Sequence, residues 1–106
     1  MSGATEVAAA GREARRPAIA AMLRSQWRMI AAVSLRPRHE GDGFDAWIRL
    51  DPIIVRGSYE QQGFPGTPDA SAKAEARRLD AIAACVDAVN VDLPTTEAIR
   101  SFRVVG

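Results

Sequence analysis

Residues 68–90 carry the strongest constraint in this chain. Leu79, Ile82, Ala83, Val86 and Val89 recur at helical spacing, while Lys73, Arg77, Asp80 and Asp87 line the other side. A helix with one apolar stripe must bury it against another element. Residues 44–50 offer a surface of a different period. Phe44, Ala46, Ile48 and Leu50 alternate with Asp45, Trp47, Arg49 and Asp51, the pattern of a half-buried strand.

The rest of the chain divides around these two segments. Pro17 suits the first position of a helix, and Ile19, Met22, Leu23, Trp27, Ile30 and Val33 follow at helical spacing, which predicts a helix over 17–35 ended by Arg36-Pro37. The same stretch admits a strand with Trp27, Met29, Ala31, Val33 and Leu35 inward; alanine content and length favour the helix. Residues 37–43 are turn formers. Pro52 bars a mid-sheet position, and the β-branched run after it predicts a second strand over 53–59. Thr67 is placed to cap the helix that Pro68 begins, and Asn90 to end it in the left-handed conformation. Thr95 is placed to cap a short turn whose positive end suits Glu97, and Phe102, Val104 and Val105 close the chain as a strand or docked tail. This order predicts an α+β fold, two main helices packed on a small antiparallel sheet. With 106 residues it is one domain over 17–106, behind a flexible leader over 1–16.

Charge excludes a strongly polyanion-seeking protein in bulk, since the net value is only +1. Its distribution is uneven. Residues 1–39 hold seven arginines against Glu6 and Glu13, whereas residues 40–106 hold seven basic side chains against eleven acidic ones. Such asymmetry points to a polyanion-facing or acid-facing surface, or to halves that pack together and neutralise each other. Lys73 is the only lysine beside thirteen arginines, and twenty residues are alanine, a bias that most simply reflects a GC-rich, bacterial coding genome. Cys85 is the only cysteine, so no internal disulfide is possible and no oxidising compartment is required. No apolar stretch has the length of a membrane span, and the N-terminus lacks a continuous apolar segment before a cleavage site. The expected location is cytoplasmic, with no membrane partner.

Candidate chemistry is sparse. His39 is the only histidine and stands among Glu40, Asp42 and Asp45, the residue types of a general base or a metal site. Gly41 and Gly43 leave that loop poorly preorganised, and a solvated turn is the simpler reading. Cys85 lies at the edge of an apolar stripe, where cysteines act as small hydrophobes rather than nucleophiles. No Gly-x-Ser-x-Gly elbow occurs, and neither Gly41/Gly43 nor Gly63-Phe64-Pro65-Gly66 makes a phosphate loop. No catalytic set, cofactor site or metal site is expected.

Two binding surfaces are expected instead. Phe64, in a Gly/Pro loop flanked by Gln61 and Gln62 with Tyr59 just before, suits an apolar anchor for a protein partner. Arg12, Arg15, Arg16, Arg24, Arg28, Arg36 and Arg38 suit phosphate contacts, with Trp27 as a stacking aromatic. The leading expectation is a non-catalytic interaction protein (accessory subunit, adaptor or small inhibitor). Nucleic-acid binding is the first alternative and a small His39-centred enzyme the second. A homodimer is a further expectation should Met29 and Leu35, off the main apolar line, prove exposed.

Overall fold

The computed structural model describes the backbone of residues 3–61 and 68–105 and the side chains of 13–57 and 72–105. The elements run α1 (Gly3–Gln26), β1 (Ile30–Pro37), β2 (Phe44–Leu50), α2 (Pro52–Gln61), α3 (Pro68–Val91), a 3-10 turn (Thr95–Glu97) and β3 (Ile99–Val105). The α+β class is as expected, but the sheet is mixed. β2 is central, with β1 antiparallel on one side and β3 parallel on the other. The long α2–α3 connection lets β3 return alongside β2 in the same direction, which a hairpin cannot do.

The alternation in β2 holds throughout. Phe44, Ala46 and Ile48 are buried, and Leu50 packs against the same core. They meet Ile19 and Leu23 of α1 and Ile82, Cys85, Val86 and Val89 of α3, so both helices lie on one face of the sheet. Burying each large aliphatic or aromatic side chain stabilises the fold by roughly 1.5–3 kcal/mol. Leu79 departs from the predicted stripe and stays exposed.

Four other sequence expectations are corrected. The first helix does not start at Pro17 or run to residue 35. It begins at Gly3, carries Pro17 inside it, stops at Gln26 and gives way to β1. Leu35 is therefore a buried core residue and Met29 half-buried, which removes the exposed patch that motivated a dimer. Residues 53–59 are not a strand but fall in α2. Asp51 caps that helix, its Oδ1 accepting from the Ile53 N–H at 2.9 Å and the Ile54 N–H at 3.4 Å, and Pro52 takes the first helical position, where a missing N–H is harmless. Thr95 does not cap the short turn; Pro94 occupies the cap position without a side-chain bond. Thr67 lies outside the described residues.

Asn90 provides the fourth correction. No described non-glycine residue has positive φ, and Asn90 sits within α3. Its side chain bonds Ile99 twice, Nδ2 donating to the Ile99 carbonyl at 2.9 Å and Oδ1 accepting from the Ile99 N–H at 2.8 Å. The amide thus stands in for a neighbouring strand at the start of β3 and ties α3 to the sheet edge.

Gly43 marks the other tight point. Its φ is 96°, and a Cβ there would collide with the Ala98 carbonyl, while its own N–H donates to the Thr96 carbonyl at 3.0 Å. Gly41 also has positive φ, 79°, but opens onto free space. Gly41→Ala is therefore expected to cost about 1 kcal/mol of backbone strain, and Gly43→Ala at least ~3 kcal/mol in urea unfolding. Asn90→Ala, which leaves two backbone groups of Ile99 without partners, is expected to cost about 2–3 kcal/mol in the same assay.

Candidate nucleic-acid interface on the open sheet face

Because both helices cover one face, the opposite face carries the alternate residues of all three strands. Register places them in three rows. Arg36, Asp45 and Ser101 form the first, Ser34, Trp47 and Arg103 the second, and Ala32, Arg49 and Val105 the third. Trp47 is at the centre of this array and half-buried, while Ser34, Arg36, Arg49, Ser101 and Arg103 are exposed. Two register shifts make the rows possible. One, between Ile30 and Ala32, lets Ile30 share the covered face with Val33 and Leu35; the other, between Phe44 and Asp45, pairs them with Ile99 and Ser101 and does the same for Ile99 and Phe102.

The array is electrostatically lopsided. The Arg36 guanidinium lies over the Trp47 ring, its Cζ 4.7 Å from the ring centroid. Arg38, at the start of the β1–β2 loop, adds a further cation and pairs with Asp45 at 3.6 Å. The Ser101 hydroxyl donates to the same carboxylate oxygen at 2.7 Å. Asp45 is thus the only acid among the nine positions, against Arg36, Arg49 and Arg103, and none of these three has a carboxylate partner among the described residues. The backbone polar groups of the central strand β2 are held in the ladders to β1 and β3, so side chains define the middle of this surface.

The other predicted contact residues scatter. Arg15 pairs with Glu97, which is buried beneath it: Nη1 donates to Oε1 at 3.1 Å and lies 3.0 Å from Oε2. The geometry at Oε2 is not that of a hydrogen bond, and this oxygen has no donor among the described residues. Arg16 donates to the Leu35 carbonyl at 3.2 Å and pairs with Glu13 at 3.5 Å. Arg24 is exposed near the end of α1, and Arg28 is exposed in the following turn rather than one helical turn further along. Trp27 packs against the core. Arg12 lies in α1, but its side chain is outside the described residues, as are the side chains of Tyr59 and Gln61 in α2. Gln62 and Phe64 lie outside the described residues altogether.

The enzyme-like features do not converge. His39, Glu40 and Asp42 are exposed in the hairpin loop, while Asp45 is engaged on the open face. Among the described residues, no three His, Cys, Asp or Glu side chains are grouped to hold a metal ion. Cys85 is buried in the core, and burial pushes its thiol above the ordinary value, away from thiolate chemistry. No described helix is long and apolar enough to cross a membrane.

A second surface adjoins the third row. An open groove of about 560 Å³ lies between the ends of β2 and β3 and the start of α2, lined mainly by Leu50, Ile53, Val55, Val104 and Val105. Ile53 is 81% exposed, and it, Val104 and Val105 are three of the five large exposed hydrophobics among the described residues, which concentrates apolar surface in one place.

Sequence reasoning missed Arg49 and Arg103, and it read Trp47 only as the polar side of a strand. A tryptophan alternating with buried residues was the available signal. The protein-family models contain no match to this chain, and searches of curated proteins and of solved structures also find none. If Cys85 is core rather than nucleophile, its thiol should label many-fold more slowly in the native protein than in denaturant, with a thiol reagent at neutral pH as the assay.

Proposed function

We propose that this protein is a non-catalytic nucleic-acid-binding protein whose contact surface is the open face of its sheet. The observation that carries the reading is Trp47 at the centre of nine outward positions, with Arg36, Arg49 and Arg103 around it and no described element packed over them. Arginines without acidic partners supply phosphate contacts, and an aromatic on a flat, polar sheet supplies a stacking platform. The basic surface anticipated from the first third of the sequence is thereby reduced to Arg36 and Arg38 and completed by strands far along the chain. Near-zero net charge is compatible with this, because short-range contacts respond to the local field within about a Debye length, ~8–10 Å.

The test is the salt dependence of binding to a labelled oligonucleotide, read by fluorescence anisotropy. Three phosphate contacts to a single strand predict a slope of about −2 in log K against log salt. Replacing Arg49 and Arg103 together by alanine should flatten that slope by about 1.4. Affinity indifferent to salt, or to both substitutions, would remove the proposal.

A second reading, that the partner is a protein, is favoured by the groove beside the third row and its exposed Ile53, Val104 and Val105. It keeps the adaptor or accessory role with a different anchor from Phe64. Ile53→Asp distinguishes the two, since it should abolish capture of a protein partner and leave oligonucleotide binding intact.

A further inference from the structure

We infer that the open face is a site for single strands, at which an unpaired base stacks on the Arg36 guanidinium while Trp47 holds that guanidinium flat. The inference rests on the nucleic-acid reading above and goes further by naming the ligand's state and the group that receives the base. Trp47 is half-buried between Ser34 and Arg103, and one face of its ring is already taken by the Arg36 guanidinium, whose Cζ is 4.7 Å from the ring centroid. On that face a base meets the exposed guanidinium before the half-buried indole. Arginine is suited to this, because its planar, delocalised and weakly hydrated cation stacks on π systems from either side. Arg36 has no carboxylate partner among the described residues, so its outer plane and its N–H edge are both available.

The geometry disfavours a duplex. With strands ~4.8 Å apart and same-face residues ~6.8 Å apart along each strand, the nine positions cover about 10 by 14 Å, the footprint of one or two nucleotides. This face is a sheet surface with no helix or two-stranded ribbon standing out from it to enter a groove, so a duplex would touch it mainly through phosphates. Asp45, paired in register with Arg36 and fixed by Arg38 and Ser101, would then oppose them. A single strand avoids this conflict. Its base lies on the Arg36 guanidinium above Trp47, and its flanking phosphates fall to Arg49 and Arg103.

Anisotropy titrations at low ionic strength with a short labelled thymidine oligonucleotide and a hairpin duplex test the inference. The proteins are wild type, Arg36→Lys, Arg36→Ala and Trp47→Phe, with circular dichroism melting to confirm folding. Wild type should bind the thymidine strand about tenfold more tightly than the duplex, the scale of one stacked base. Arg36→Lys, which keeps the charge and loses the plane, should weaken strand binding about tenfold and leave duplex binding unchanged. Arg36→Ala should weaken both, and Trp47→Phe, which retains a ring under the guanidinium, should stay within a few-fold of wild type. Equal affinity of Arg36→Lys and wild type for the strand, or equal affinity of wild type for strand and duplex, would overturn this inference and leave a phosphate-binding face. No binding of either probe would overturn the nucleic-acid reading itself, and the inference with it.

Discussion

Strand β2 runs through the middle of the sheet, and its side chains can only alternate. Phe44, Ala46 and Ile48 are almost completely sealed from water beneath α1 and α3, so Asp45, Trp47 and Arg49 must emerge on the other side. Pairing extends the division to both neighbours, because residues in register share a face. The covered row through Leu35, Ala46 and Phe102 thus entails the open row through Ser34, Trp47 and Arg103. A slip of one residue would drive Trp47 and Arg49 into the core, and the apolar burial on β2 guards against that. Only two long helices are available, each with one apolar stripe, and both are needed on the same side to enclose the core.

Polar side chains hold the ends of this arrangement where apolar packing cannot. Asn90 completes the backbone bonding at the start of β3, Asp51 starts α2, and Arg15 reaches from α1 to the buried Glu97 at the end of the short turn. Leaving a carboxylate buried without its cation would carry a desolvation penalty, so Arg15 and Glu97 are best understood as one unit. The contact also bears on the charge asymmetry. Arg15 with Glu97, and Arg38 with Asp45, each join the basic first third to the acidic remainder, and part of the contrast seen along the sequence is neutralised by folding.

What folding leaves is a smaller and more specific basic surface. Of the described arginine side chains of α1, Arg15 and Arg16 are bonded to protein groups and Arg24 stands apart, while Arg36, Arg49 and Arg103 are gathered around one tryptophan without acidic partners among the described residues. A flat sheet gives such side chains less conformational freedom than a loop would, which favours ordered contacts over diffuse attraction. The adjoining groove, apolar where the sheet face is polar, sets a boundary to that surface at Val105.

The sequence by itself determined the elements whose periods are long and clean. The strand over 44–50 and the helix from residue 68 onward follow from hydrophobic spacing, and so does the α+β class, because burial against a core imposes those periods directly. It did not determine the boundary between α1 and β1, where apolar residues satisfy either period, or the state of residues 53–59, where the Asp51 cap with Pro52 at the first helical position outweighed β-branched composition. Only the tertiary structure decided the two register shifts, the parallel return of β3, and hence which distant arginines stand beside Trp47. Those depend on pairing between segments far apart in the chain, and pairing register leaves no trace in local composition.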